Sequence, residues 1–223
     1  MQLFSYILKF IDKFVFTEQC QNCKKPGFLI CSNCINNIPR PEHDLPEYIY
    51  ALYEYRYPIV KKILTDAKYR KKWSGLKVFG PYLASAMLDI VIEYTELNNY
   101  TNILIIPVPI SNKRFKTRGF NQAQIIAESI VSNINKEDKD KYKICTNIIK
   151  KIKDKTPQAS IHSKKERLNS PKGTFKVINP EIIKGSLCII IDDITTTGGT
   201  INEMRRILLE SGAQDAFGLT IAH

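Results

Sequence analysis

Leu187–Thr200 reads LCIIIDDITTTGGT, and the architecture turns on this stretch. Leu187–Ile191 is a short apolar run, the pattern of a strand buried in a sheet. Asp192 and Asp193 follow at the carboxyl end of that strand, in the crevice where open α/β sheets bind ligands. Adjacent carboxylates accept hydrogen bonds from vicinal hydroxyls, such as those of a ribose. Thr195, Thr196, Thr197, Gly198, Gly199 and Thr200 then tighten into a helix expected over Ile201–Ser211. Free N–H groups at a helix start, the positive end of its dipole and threonine hydroxyls all suit a phosphate. The glycines let the backbone come close to it. The loop has neither the Gly-Lys-Ser/Thr ending of a Walker A loop nor the GxGxxG spacing of a dinucleotide turn. A plain N-capped helix after a core strand explains a threonine here, but not the acidic pair and the glycines beside it.

Strands and helices alternate around this stretch. Tyr48–Tyr57 is rich in aromatics and predicts a strand, and Pro58 opens a basic helix that runs through Trp73. Leu76–Tyr94 carries apolar residues at helical spacing. Ile103–Ile106 predicts a strand that ends at Pro107-Val108-Pro109; a basic turn, Ser111–Gly119, leads to a helix over Gln122–Ser132. Asn133–Lys143 reads as an exposed polar loop, Ile148–Lys153 as a strand, and Thr156–Thr174 as a mobile hood. Gly212 caps the helix before a last strand, Ala216–Ala222. The expected class is α/β, a mostly parallel sheet with helices on both faces. The 223 residues suffice for one such domain and a small appendage.

The appendage is marked by cysteines. Cys20-Gln-Asn-Cys23 and Cys31-Ser-Asn-Cys34 are two CxxC knuckles, and Gly27 lies between them where the chain must reverse. Folded back on each other, they bring four thiolates into the tetrahedron that a structural Zn²⁺ requires, with no position left open for catalysis. Disulfides would need an oxidising compartment, and no secretion signal is evident; a redox pair would need no twin. Cys188 reads as a small buried hydrophobe. In MQLFSYILKFIDKFVF, residues Leu3, Phe4, Ile7, Leu8, Ile11, Phe14 and Val15 recur at helical spacing. An amphipathic helix over 1–18 is therefore expected, docked on the body or a partner, with peripheral membrane contact as the alternative. The organisation is then 1–18 helix, 19–38 zinc module, a proline-rich linker, and a domain over 47–223 with its hood at about 150–176. The apolar runs fall short of the roughly 20 residues of a membrane span, and a cytoplasmic location is expected.

The net charge of +11 favours polyanionic partners and small phosphorylated ligands. A lysine-rich composition of the source would give the same excess. Lys68-Tyr69-Arg70-Lys71-Lys72-Trp73 mixes cations with aromatics, as single-strand binders do to neutralise phosphates and stack bases. A solvated helix end with Trp73 packed inward is the other reading, and the residues leave both open.

Ile190–Thr200 closely resembles the signature by which type I phosphoribosyltransferases bind 5-phosphoribosyl-1-pyrophosphate (PRPP), with acidic pair, Thr-Gly and closing Thr at that family's spacing. From Cys20 onward the chain resembles one branch, the ComF family of competence-associated proteins. The double CxxC is similar to that family's zinc module, and Ala67-Lys68-Tyr69 to its Lys-Tyr pair. Pro107-Val108-Pro109 with Arg118-Gly119-Phe120-Asn121-Gln122 is similar to its PVP and RGFNQ block. Thr156-Pro157-Gln158, Glu166-Arg167, Asn169 and Phe175 match its hood pattern. The resemblance implies a type I phosphoribosyltransferase-like fold, Asp192 and Asp193 as catalytic, ribose-gripping acids, and Thr195–Thr200 as the cradle of the 5-phosphate. It also implies Mg²⁺ bridging ribose hydroxyls and pyrophosphate. The loop after Ile103–Ile106 would meet the pyrophosphate through N–H groups of Val108, Ile110 and Ser111, since two prolines remove donors. Lys113, Arg114 and Arg118 would neutralise the anion, or form a solvated basic turn. Lys153 and Arg167 are hood candidates for the same task. Lys153 and Lys155 depart from the family, which commonly has an arginine there, and lysine lacks the bidentate fork.

Two functions are consistent with these residues. One is a Mg²⁺-dependent phosphoribosyltransferase linked to DNA uptake, with the uptake machinery as protein partner. The other is a non-catalytic module that senses PRPP or a nucleotide and binds single-stranded DNA. No residue stands out as a general base for an acceptor. An amidophosphoribosyltransferase is disfavoured, because residues 1–35 leave no room for a glutaminase domain.

Overall fold

The apolar runs need partners on both edges to satisfy their backbone, and a computed structural model shows where they find them. It describes residues 19–42, 45–135, 138, 140–152 and 172–223. The helix expected over 1–18, most of the hood, Lys153 and Arg167 lie outside the described residues. The chain divides into two compact units at Pro39 and Arg40.

In the smaller unit the first knuckle closes with Lys24 N–H donating to Cys20 O at 2.8 Å, Lys24 itself at φ 65°. Gly27 takes φ 89°, and Gln21 N–H donates to Leu29 O at 3.0 Å as the chain returns. The second knuckle runs into a short helix, α1 (Ser32–Asn36).

The larger unit is built on a five-stranded sheet. In chain order its elements are β1 (Ile49–Tyr53), α2 (Pro58–Arg70), α3 (Gly80–Leu97), β2 (Ile103–Pro107), α4 (Asn112–Arg118), α5 (Gln122–Ser132), β3 (Tyr142–Ile144), β4 (Ile149–Lys151), β5 (Phe175–Val177), β6 (Leu187–Ile194), α6 (Gly199–Glu210) and β7 (Asp215–Ala222). The order across the sheet is β1-β7-β6-β2-β3, and every pairing in it is parallel. β6 is the central strand: Ile190 pairs with Ile106 on one side and Gly218 on the other. On one face Leu104, Ile106, Cys188 and Ile190 form a buried cluster with Ile201, Met204 and Leu208 of α6. β4 and β5 form a separate antiparallel pair on either side of residues 153–171.

Several boundaries differ from expectation. The strand predicted to end at Ile191 continues through both aspartates to Ile194, because Thr220 and Ala222 of β7 keep offering ladder partners. Ser111–Gly119 is no turn but a helix, α4, flanked by Ser111 and by Gly119 at φ 83°. None of its residues is buried, so no apolar period announced it. The loop expected over Asn133–Lys143 gives way at Tyr142 to β3, a short edge strand whose Lys143 faces solvent. α2 stops at Arg70 rather than Trp73: Lys71 turns left-handed at φ 57° and returns its N–H to Asp66 O. A 3₁₀ turn over Trp73–Phe79 then precedes α3.

Trp73–Glu96 is long and apolar enough, by length and composition, to cross a membrane, yet half of it is buried. Leu83, Met87, Ile90 and Val91 are buried, and α3 packs on α5 and β7.

α6 packs close over Gly218, where an added Cβ would meet Ile201 Cγ2 at 2.5 Å and Cδ1 at 2.8 Å. Gly218→Ala is expected to cost about 1–3 kcal/mol in urea unfolding. In the Ile201→Ala background the added cost should shrink.

Candidate functional site

From β2 the chain moves outward to β3, and from β6 it moves outward the other way to β7. The carboxyl ends of β2 and β6 therefore meet where the connections diverge, the place where open α/β sheets bind ligands. A cavity of about 700 Å³ opens there, lined by the Val108–Ile110 loop, the aspartates, Thr196 and Thr200 among others.

Asp193 is buried, and its Oδ2 lies 2.9 Å from Lys68 Nζ of α2. Asp192 is half-buried, and its Oδ1 accepts the Asp193 N–H at 2.8 Å. Burial pushes the Asp192 carboxyl up to about 7, and the neighbouring Asp193 charge adds to the shift; the Asp193 N–H and Lys68 work against it. Both acids are thus packed together at the end of a paired strand, where hydroxyl donors from a ligand would relieve them.

The threonine loop divides. Thr195 is buried and spends its N–H on Ala222 O at 2.9 Å, as one more rung of the β6–β7 ladder. Thr196 and Thr200 line the cavity, and Thr197 is half-buried. Gly198 sits at φ 73°, a conformation that favours glycine, and a Cβ there would also push on Ile49 Cδ1 at 2.7 Å. It is the N-cap of α6, and the first intrahelical bond runs from Asn202 N–H to Gly198 O. The N–H groups of Gly199, Thr200 and Ile201 have no acceptor within the helix, which makes this end an anion cradle.

Across the cleft, Val108 is buried and its N–H donates to Ile191 O at 2.9 Å. The donor expected for pyrophosphate is therefore engaged in the sheet, and with Pro107 and Pro109 lacking N–H, Ile110 and Ser111 are what remain of the expected three. Ser111 is buried, and its hydroxyl oxygen accepts the Arg114 N–H at 3.4 Å as the cap of α4. Asn121 fixes the loop: its Nδ2 donates to Val108 O at 3.0 Å, and its Oδ1 accepts Ala123 N–H at 3.1 Å as the cap of α5. One side chain so ties the Pro-Val-Pro turn to the next helix. Arg114 and Arg118 reach the cavity; Arg118 also donates to Gln122 Oε1 at 3.0 Å.

The basic run at the end of α2 splits in two. Lys68 and Tyr69 line the cavity, whereas Arg70 pairs with Asp66 at 3.3 Å and Lys71 and Lys72 face solvent. Trp73 is 41% exposed with Lys77 Nζ 5.2 Å over its ring, so the reading that packs it inward is overturned; the 3₁₀ turn begins at that residue and leaves it outside. Tyr55, Lys151 and Phe175 also line the cavity; Phe175 stood in the hood pattern, whereas Tyr55 and Lys151 carried no sequence signal of that role. The β5 side of the hood is fastened where Gly173 N–H donates to buried Glu203 of α6 at 2.7 Å.

In the smaller unit the Sγ atoms of Cys20, Cys23, Cys31 and Cys34 lie within 4.8 Å of one another. The 3.6 Å between Cys23 and Cys31 is close to the roughly 3.8 Å edge of a tetrahedral zinc–tetrathiolate. Burial opposes ionisation of Cys20, yet N–H groups of Cys23, Cys31 and Asn22 hold its thiol down to about 6. The Asn22 amide favours the Cys34 thiolate, donating at 3.4 Å, but burial and the other three cysteines push that thiol up to about 12. Such a set can hold a metal ion, whose charge is what lets all four ionise together.

The family model for the phosphoribosyl transferase domain matches residues 115–221. The chain is similar to competence protein ComFC of Streptococcus pneumoniae, 30% identical over 198 residues that span 89% of this chain and 77% of that protein. It is 27% identical to competence protein F of Haemophilus influenzae over 116 residues, 50% of this chain and 46% of that protein, and so spans less than half of that relative. DNA utilization protein YhgH of Escherichia coli is 28% identical over 204 residues, 87% of this chain and 79% of that protein.

Because folding raises the Asp192 carboxyl from its usual value of about 4 towards 7, ionising it is opposed in the native state. The resulting loss of stability is absent below about pH 4, grows as pH rises and is complete above about pH 7. Asp192→Asn is expected to raise the melting temperature of the ligand-free protein, by more at pH 8 than at pH 5; scanning calorimetry at the two pH values checks this.

Proposed function

The chain belongs to the ComF family of competence-associated proteins, and from that premise we propose that it binds PRPP in the cleft between β2 and β6 and transfers its phosphoribosyl group. The observation that carries the reading is the shared cavity. Asp192, Asp193, Thr196 and Thr200 line it with the free N-terminus of α6 behind them, and Arg114 and Arg118 line it too. In this reading the acids accept the ribose hydroxyls, the start of α6 takes the 5-phosphate, and the arginines with the Ile110 N–H take the pyrophosphate. Stabilising the departing pyrophosphate is then the main catalytic contribution of this chain.

Mg²⁺ suits the oxygen donors of the cleft. The two aspartates are too few to cage it, and among the described residues the cysteine set is the one cluster of three or more ligating side chains. Such an ion would be completed by ligand oxygens, and when bound it would neutralise the leaving group. The four cysteines would hold Zn²⁺ as a structural ion. The names of the relatives, competence and DNA utilization proteins, support a role connected with DNA uptake.

A second reading, a PRPP sensor that binds single-stranded DNA, draws support from Tyr69 and Trp73, exposed by 77% and 41% beside Lys71 and Lys72. Pyrophosphate release from PRPP and Mg²⁺ with a panel of nitrogenous acceptors separates the two. Turnover is expected to be lost in Asp193→Asn, along with at least about tenfold of PRPP affinity. PRPP binding without release in any mixture would favour the sensor, and no binding at all would overturn both.

For the smaller unit, mass spectrometry of metals should find roughly one zinc ion per chain, lost with Cys31→Ser. Chelation should lower the melting temperature of the wild type and leave that of the variant unchanged.

A further inference from the structure

We propose that Lys68 sets the charge selectivity of the cleft, holding the acidic pair against free divalent cations while favouring an anionic sugar phosphate. The proposal rests on the reading of the cleft as a PRPP site, and one arm of its test does not.

Lys68 is rooted in a fixed position. It lies in the last turn of α2, where the helix dipole favours a cation. The N–H groups of Lys71 and Lys72 both return to Asp66 O, and Arg70 pairs with the Asp66 carboxylate at 3.3 Å. The helix end is so closed on itself just beyond Lys68. From there Nζ reaches Asp193 Oδ2 at 2.9 Å, with side-chain exposures of 22% for Lys68 and 11% for Asp193. A pair that shielded from water keeps much more of its attraction than a surface pair does.

The other cavity-lining cations reach the cleft from different elements. Arg114 and Arg118 come from α4, and Lys151 from β4. Lys68 is the one that the described ion pairs place on a carboxylate of the cleft. Two adjacent carboxylates with no cation beside them draw a divalent ion on their own account. An ammonium on Asp193 offsets one negative charge of the pair and occupies a lone pair a metal would use. It also keeps two further N–H donors, which suit an anionic oxygen brought by the ligand. Removing Lys68 therefore has opposite consequences for the two kinds of ligand. The cleft gains attraction for a free dication and loses it for a polyanion. A purely structural lysine would move both affinities the same way.

Binding of Mn²⁺ alone, followed by electron paramagnetic resonance, and of PRPP with Mg²⁺, followed by calorimetry, reads the two arms. In Lys68→Met, Mn²⁺ affinity at the cleft is expected to rise by about tenfold and PRPP affinity to fall by about tenfold. Lys68→Arg should keep both near the wild-type values, because it keeps the charge. In the double variant Lys68→Met with Asp193→Asn the Mn²⁺ gain should vanish. Affinities that fall together, or that do not change, overturn the proposal, as does a Lys68→Arg that behaves like Lys68→Met. If the wild type binds no PRPP, the reading of the cleft falls, and unchanged Mn²⁺ binding in Lys68→Met then overturns the role of Lys68 as well.

Discussion

Hydrogen bonding along both edges of β6 is the constraint from which the site follows. The strand is paired on both edges over its apolar run: β2 pairs with it from Leu187 to Ile191, and β7 from Leu187 to Ile194. A buried strand must satisfy its N–H and C=O groups, and the longer β7 satisfies them past the apolar run that ends at Ile191. The two aspartates are thereby drawn into the end of the sheet rather than released into a loop. That placement costs solvation, which shows in the raised Asp192 carboxyl, and it is offset by the Asp193 N–H and by Lys68.

The same ladder disposes of the residues around the acids. Thr195 and Val108 give their N–H groups to Ala222 and Ile191, so the donors nearest the strands serve the sheet. What is left for a ligand begins one step further out, at Thr196 and the start of α6 on one side and at Ile110 and the arginines on the other. Asn121 holds the second side in register by spanning from the Pro-Val-Pro turn to the first turn of α5. The RGFNQ block is therefore partly a positioning device, and its asparagine works on the backbone.

The strong positive charge of the chain is divided between solvent and cleft. Part of it faces solvent, as in Lys113 and Lys116 of α4 and in Lys71 and Lys72. Part lines the cleft, and Lys68 is locked to an acid within it. In the smaller unit, four thiols within 4.8 Å of one another can hold a metal that organises the chain around itself, beside the buried Ile30, Ile35 and Ile38.

The α/β class, the central apolar strand, the acidic pair with its glycine–threonine loop and the double CxxC were all legible in the sequence. Each of them is a local pattern, in which residue type and spacing carry the chemistry. Helix α4 was not legible, because a helix without a buried face has no apolar period, and edge strand β3 was hidden by its three-residue length and the lysine at its centre, Lys143. Nor could the run Lys68–Trp73 be divided from sequence, since six neighbouring residues share one composition. Only the packing of α2 beside the end of β6 sends Lys68 and Tyr69 into the cleft and leaves Trp73 outside. Chain-local chemistry thus determined what the site is made of. Which donors remain free and which cation meets which acid was decided by the tertiary structure, because those depend on partners from other elements, Ala222 for Thr195, Ile191 for Val108 and Asp193 for Lys68.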